Sequence, residues 1–402
     1  MLNKELITQL SSKNEEPHWL LEQRLKSLEQ YKSLPAPLFK YGIGIFLDIT
    51  ELKLDNIDPT GNNSLTVTCE DKKIEILNLK EALKKHETLV KKYLFSLIEN
   101  DKISTLHKAF LNNAIFIRIP ENTYSNKPIN INFCLESNTS LDSILIIAEP
   151  NSKATIIEHS NDASGKENIG FRSQIVEIIA KENTKIEYVS IQNISQNVNN
   201  FTKRKASVEK DAYVYWLDCI LGSRFTQSIT TTFLNDIGAT NKNLGLFLGD
   251  NDQRYDINAE TIHNASKTQC DMYTKGVLND NAKNVYRGLV RIQPQAYNCK
   301  GYQKSDTLLL GENTETDPVP ILEIHNNDVK CGHGATVGQI DKEKIFYMMS
   351  RGLSEQEAIE TIIKGFFDPI LNQLSEELAK EFRQTIEKRV ERGLEKGVMI
   401  NA

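Results

Sequence analysis

The 402-residue sequence lacks any apolar run near the ~20 residues that a membrane-spanning helix needs, so no membrane association is expected. It also lacks an excess of one charge, with 48 Lys and Arg against 54 Asp and Glu and a net charge of −6. Chains that bind nucleic acid usually gather a basic patch, so no nucleic-acid partner is expected. Cysteines are few and scattered (Cys69, Cys134, Cys219, Cys270, Cys299 and Cys331). They follow neither a disulfide framework nor the paired spacing of a zinc site. Free thiols in a cytoplasmic setting are the expectation. The polar, charged stretch MLNKELITQLSSKNEE agrees with it, reading as neither a secretory signal nor a transit peptide. G-x-S-x-G and H-E-x-x-H are missing, and so is G-x-x-x-x-G-K-[ST], so any ATP chemistry must come from elsewhere. GHGATVG imitates a dinucleotide fingerprint, but its third glycine falls one residue late and no βαβ context surrounds it.

What is present falls into three regions. Residues 1–112 read mostly as helix: PHWLLEQRLKSLEQYK carries an apolar stripe at Trp19, Leu20, Leu21, Leu25, Leu28 and Tyr31. Pro17 suits its first turn and LPAP stops it. Two further amphipathic stretches follow, LNLKEALKKHETLVKKYLFSLIEN and STLHKAFLNN. Residues 113–340 are different, with short Ile-, Val-, Tyr- and Thr-rich runs such as AIFIRI, KIEYVSIQ and VYRGLVRI between Asn, Asp and Gly. A small or polar pair introduces several of these runs. Aligning them on Ala154, Lys185, Ala212, Ala239, Ser266 and Ala296 gives intervals of 31, 27, 27, 27 and 30. A period in that range, with no crossover helices, predicts a mainly β fold: a right-handed parallel β-helix flanked by helical regions. Residues 341–402 return to helix. Asp341 is placed to cap KEKIFYMMSR, Gly352 to end it, and SEQE at 354–357 forms a capping box. Pro369 is expected to interrupt the next helix.

The stretch NNDVKCGHGATVGQID sets Cys331 and His333 two residues apart at a strand-to-helix junction. Thiolate and imidazole both suit iron, iron–sulfur species or zinc. In an extended strand the two side chains point the same way, and glycines at 332 and 334 leave room for an approaching partner. Read as packing alone, the same stretch is a tight turn with a small buried cysteine. Two ligands do not complete a tetrahedral site, so a metal here would need a second chain. His263 and His325 have no recognisable partners and read as packed or surface histidines.

The sequence DVKCGHGATVGQIDKEKIFYMMSRGLSEQEAI resembles the C-terminal signature of the SufB/SufD family, the β-helical subunits of the SUF iron–sulfur cluster assembly system. KGVLNDNAKNVYRGLVRI, GYQKSDTLLLGENTETDPVPILEI and the N-terminal EPHWLLEQRLKSLEQYKSLPAP are similar to it too. The resemblance implies a non-catalytic scaffold subunit that pairs with a SufB-type chain and docks a SufC-type ABC ATPase. A transient iron–sulfur cluster would lie between the paired chains. His333 would contribute to it, with Cys331 in support. Where SufB-type chains carry a cluster-receiving cysteine this chain has Ser305, and where they place acidic residues around the histidine it has Gly332 and Gly334. It is therefore more like SufD, with a short SufB-like homodimeric scaffold as the alternative. The helices from 341 to about 392 are expected to dock the ATPase. Their apolar residues Ile345, Met348, Met349, Ile362, Ile363, Phe366 and Phe367 exceed what one intramolecular face needs, and removing 341–402 is expected to leave a soluble β-rich core. A β-helical polysaccharide-active enzyme would need paired carboxylates in one register, and none is seen. A structural subunit without metal ligands is the remaining rival.

Overall fold

A computed structural model describes residues 2–35, 39–41, 45–47, 54–61, 63–163 and 169–395. Helices α1 (Lys4–Lys13) and α2 (His18–Ser33) open the chain, the second capped by Pro17, and a short ribbon of β1 (Phe39–Tyr41) and β2 (Ile45–Leu47) follows. Next come β3 (Ser64–Thr68), β4 (Glu75–Asn78), α3 (Leu79–Tyr93) and α4 (Lys102–Phe110). The first region is thus not purely helical: β3 and β4 join the two large sheets. Sixteen strands then alternate between those sheets. Sheet II takes β5 (Asn113–Ile119), β7 (Thr139–Ala148), β9 (Gly170–Ala180), β11 (Val198–Val208), β13 (Phe225–Leu234), β15 (Arg254–His263), β17 (Lys283–Ile292) and β19 (Glu315–Ile324). Sheet I takes β6 (Ile129–Leu135), β8 (Lys153–Asp162), β10 (Lys185–Gln192), β12 (Tyr213–Ile220), β14 (Thr240–Gly249), β16 (Gln269–Leu278), β18 (Cys299–Leu309) and β20 (Val329–Gln339). From β5 and β6 onward every pairing is parallel, whereas β3 and β4 pair antiparallel with β6 and β5. The result is a two-sided parallel β-helix, closed at its first coil by short antiparallel strands. Helices α5 (Lys342–Ser350), α6 (Glu355–Leu371) and α7 (Glu376–Glu395) end the described chain. Asp341 and the Ser354–Glu357 capping box start the first two of these, and Gly352, at φ +98°, follows α5. Pro369 does not interrupt α6, which runs on to Leu371.

Six successive coils, all before the last, turn at a residue in the left-handed region, followed by a small buried one. The turn residues are Asn151, Asn183, Asp211, Gly238, Lys267 and Asn298, with φ between 54° and 78°. The buried followers are Ser152, Thr184, Ala212, Ala239, Thr268 and Cys299. Asn, Asp and Gly tolerate this conformation best, and the small follower lets successive coils stack. Backbone bonds carry the stack upward: the Lys185 N–H donates to the Ser152 carbonyl at 2.8 Å and that of Tyr213 to Thr184 at 2.8 Å. The true spacings along the followers are 32, 28, 27, 29 and 31 residues. The sequence period was close, but its column was off by one to three residues everywhere except Ala212 and Ala239, because coil length varies at the corners. Lys267 is the one turn residue of the six that is neither Asn, Asp nor Gly, and a lysine there costs about 1 kcal/mol. Lys267→Asn is expected to raise stability by roughly 0.5 kcal/mol, read as a higher urea midpoint at unchanged slope.

Between the sheets the lumen changes character along its length. Near the first coils it holds Ile144, Ile146, Ile156, Val176 and Ile178 together with Tyr188 and Trp216. Beside them lies a buried ionic cluster. Arg172 donates to both carboxylate oxygens of Asp142 at 3.1 and 2.9 Å, to Ser160 at 2.9 Å and to Glu158 at 3.2 Å, with its guanidinium 3.9 Å over the Phe133 ring. Burial alone would raise the Glu158 carboxyl, but Arg172 and Arg204 beside it hold it down at about 2. Outside, the N-terminal helices cover the early strands of sheet II through Ile103, Leu106, Phe110, Leu141, Phe171 and Phe201. The C-terminal helices cover sheet I.

Candidate functional site

The site predicted from Cys331 and His333 lies at the last coil. Among the described residues, β20 and β19 are the terminal strands of their sheets and pair on one side only. Strand alternation sets Cys331, His333 and Ala335 on the lumen face of β20. In register, Cys331 lies beside Gly301 and then Cys270, His333 beside Gln303 and Met272, and Ala335 beside Ser305 and Thr274. The two predicted ligands therefore share one face at the mouth of the lumen. His333 is exposed and Cys331 half-buried. Gly332 and Gly334 point to the opposite face, where a Cβ on Gly332 would rest 3.6 Å from the Tyr302 ring. The room they leave is on the outside of the sheet, on the face opposite the two predicted ligands.

Sulfur neighbours crowd Cys331. A Cβ on Gly301 would lie 3.4 Å from the sulfurs of both Cys331 and Cys270. Cys270 shares a 3.3 Å contact with His263 Nε2, whose Nδ1 lies 2.7 Å from the Thr268 hydroxyl. The Thr268 hydroxyl donates to the Ala265 carbonyl at 3.0 Å, which leaves its oxygen to accept from His263 Nδ1–H and makes Nε2 the acceptor of the Cys270 thiol. His263 is thus packed, as expected, but it does have partners. Burial lowers it to about 4 and pushes the Cys270 thiol up to about 12. Burial also raises the Cys331 thiol, while a backbone hydrogen bond from Gly301 works against the shift. Ser305 has a buried hydroxyl with no hydrogen-bond partner, and the Gln303 side-chain oxygen has none either. Among the described residues, no set of three or more His, Cys, Asp and Glu side chains is arranged to hold a metal ion. That Gln303 and Cys270 neighbour the pair was missed in the sequence. The one signal that could have found them is the coil register that stacks 270, 301 and 331 and, beside them, 272, 303 and 333.

The seven apolar residues assigned to partner docking divide. Ile345, Ile363 and Phe367 are buried in a core shared with Ile157, Val189, Leu217, Leu244 and Leu246 of sheet I, and Met348, Ile362 and Phe366 pack partly against it. The apolar surplus of the C-terminal helices is largely used within the chain, because the outward face of sheet I is itself apolar and has to be covered. Met349 alone of the seven stands out at 43% exposure, and α5 adds Phe346 at 73% and Tyr347 at 59%. His159 Nε2 and Glu381, 2.5 Å apart, tie α7 to β8.

Compared with known proteins, residues 133–366 match the family model described as "SUF system FeS cluster assembly, SufBD core domain". The chain is similar to an iron–sulfur cluster assembly SufBD family protein of Staphylococcus saprophyticus, at 28% identity over 94% of this chain and 90% of the relative. It is similar to the iron–sulfur cluster assembly protein SufD of Bacillus subtilis, at 27% identity over 94% of this chain and 95% of the relative. A SufBD family protein of Staphylococcus aureus is 27% identical over 94% of this chain.

Proposed function

Because the chain belongs to the SufBD family of iron–sulfur cluster assembly proteins, we propose that it is a SufD-like scaffold subunit whose open last coil pairs with a SufB-type chain. The observation that carries this reading is the pair of long terminal strands, 10 residues in β19 and 11 in β20, with His333 and Cys331 at the lumen mouth between them. An unpaired edge of that length is a template for another strand. The nascent cluster is the cargo, held between the two chains. His333 supplies a neutral imidazole nitrogen, Cys331 stands behind it, and the main thiolate comes from the partner, since Ser305 has only a hydroxyl to offer. The scaffold itself performs no ATP hydrolysis; a SufC-type ATPase of the cytoplasm docks on it.

His333→Ala is expected to leave the fold and the co-purified complex intact and to lower anaerobically recovered iron and sulfide at least about threefold, Cys331→Ser less. Unchanged iron at equal complex yield would remove His333 from the site. ATPase docking moves from the seven predicted residues to the outward face of α5. Phe346→Asp together with Tyr347→Asp is expected to abolish ATPase capture while leaving thermal stability within about 1 kcal/mol, the usual range for exposed positions. Capture at wild-type yield would place the docking face elsewhere. A homodimer of the same design is the second reading, favoured by the same open edge; sedimentation of the chain expressed alone separates the two.

A further inference from the structure

Halfway along the lumen one side chain is missing from a polar column. On sheet I the register stacks Glu158, Ser190, Asp218, Gly245, Thr274 and Ser305 in successive coils. Every member except Gly245 carries an oxygen. The gap is a cavity of about 10 Å³ lined by Asp218, Asn243, Gly245 and Thr274 of sheet I and by Thr230 of sheet II, with Phe247 and Ile257 closing it. That volume is about one water-sized centre.

Its lining is mostly apolar, but two polar side chains in it are incompletely bonded. Asp218 Oδ2 accepts from Arg204 at 3.0 Å and from the Ser228 hydroxyl at 2.7 Å, but Oδ1 has no partner. Nor has the amide nitrogen of Asn243. Asp218 is 8% exposed and Asn243 4%. One rim atom accepts and the other donates, and a buried group left in that state costs about 1–3 kcal/mol. Arg204 beside Asp218 disfavours a cation, and the Asp218 carboxylate disfavours an anion. We propose that this chamber binds one ordered water molecule, which donates to Asp218 Oδ1 and accepts from Asn243 Nδ2, with the Thr230 and Thr274 hydroxyls in reach of its remaining sites. The water completes the Arg204–Asp218 pair and stands in for the side chain that Gly245 lacks.

Two substitutions at Gly245 test whether the chamber requires a hydrogen-bonding occupant. A Cβ there would lie 2.8 Å from the Thr274 hydroxyl oxygen and 3.0 Å from its methyl, so Gly245→Ala and Gly245→Ser share that Cβ contact and differ by the serine hydroxyl. Alanine expels the water and leaves both rim atoms unpaired, whereas serine brings a hydroxyl to replace it. Gly245→Ser is expected to melt at least about 2 °C above Gly245→Ala. Equal melting, or the reverse order, would overturn the proposal. Should neither variant fold, the wild-type chain decides in a crystal structure at high resolution. A density peak within hydrogen-bonding distance of both Asp218 Oδ1 and Asn243 Nδ2 supports the water, and a featureless gap there refutes it.

Discussion

Arg172→Met is expected to cost a large share of the stability of the chain. The substitution fills a similar volume but strips the cation from between Asp142 and Glu158, leaving two fully buried carboxyls that keep hydrogen bonds from Ser140, Ser160, Gln174 and Tyr188 but lose their ion pairs. Breaking a buried pair by removing one partner typically costs about 3–5 kcal/mol, against a total of about 5–15 kcal/mol for a folded domain. The expected readout is a urea midpoint lowered by about half, or loss of soluble protein. The pH dependence identifies the cause. In the wild-type chain Glu158 titrates at about 2, below its ordinary value. Its contribution to stability is complete above that ordinary value and is lost as the pH falls toward 2. Without Arg172, the burial of Glu158 is opposed by Arg204 and by the hydrogen bonds from Tyr188 and Gln174, so this acid-side loss should shrink. An acid limb as steep as that of the wild type would mean that only packing had been lost.

Truncation at residue 340 is expected to yield aggregated protein, not a soluble β-rich core. The sequence alone suggested that the C-terminal helices are an appendage. In the structure Ile359, Ile363, Phe367, Ile370 and Phe382 are nearly or wholly inaccessible to solvent, packed with Leu217, Leu244, Leu246 and Val277 of sheet I. Removing the helices would bare that face, at about 1.5–3 kcal/mol for each large apolar side chain returned to water. The milder Phe367→Ala should cost about 3–5 kcal/mol, measured by chemical denaturation. Soluble, cooperatively melting 1–340 would contradict the assignment of these helices to the core. Loss of ATPase capture on truncation would therefore say little about docking, and the α5 substitutions are the informative test.

How much of this was legible in the sequence depends on how local the cause is. Caps depend on a few neighbouring residues, and Asp341, Ser354 with Glu357, and Gly352 act where the sequence placed them, whereas Pro17 sits one residue before the helix and Pro369 does not stop α6. The β-helix was legible as a period but not as a register, because the left-handed turn residue and its small follower take six different forms, from Asn-Ser to Lys-Thr. Cys331 and His333 share a face, as period-two alternation requires. What the sequence could not show was which face their neighbouring glycines occupy relative to the lumen, or that Cys270 lies two strands below Cys331 and 61 residues away in the chain. The helix surplus was misread for a similar reason: whether an apolar stripe is free depends on the outer face of a sheet assembled from five distant segments.

The two ends of the β-helix differ, and that difference limits how the chain can associate. The first coil finishes in antiparallel strands of 5 and 4 residues, too short to recruit another chain, and the last coil in parallel strands of 10 and 11. A solenoid with two live ends can lengthen without limit, each added copy exposing a fresh edge for the next. With one live end, growth stops at the first encounter, since the newcomer brings its only reactive edge and buries it. End-to-end association by this route stops at two chains, whatever their concentration, and the fibres to which bare β-edges are prone have no second step.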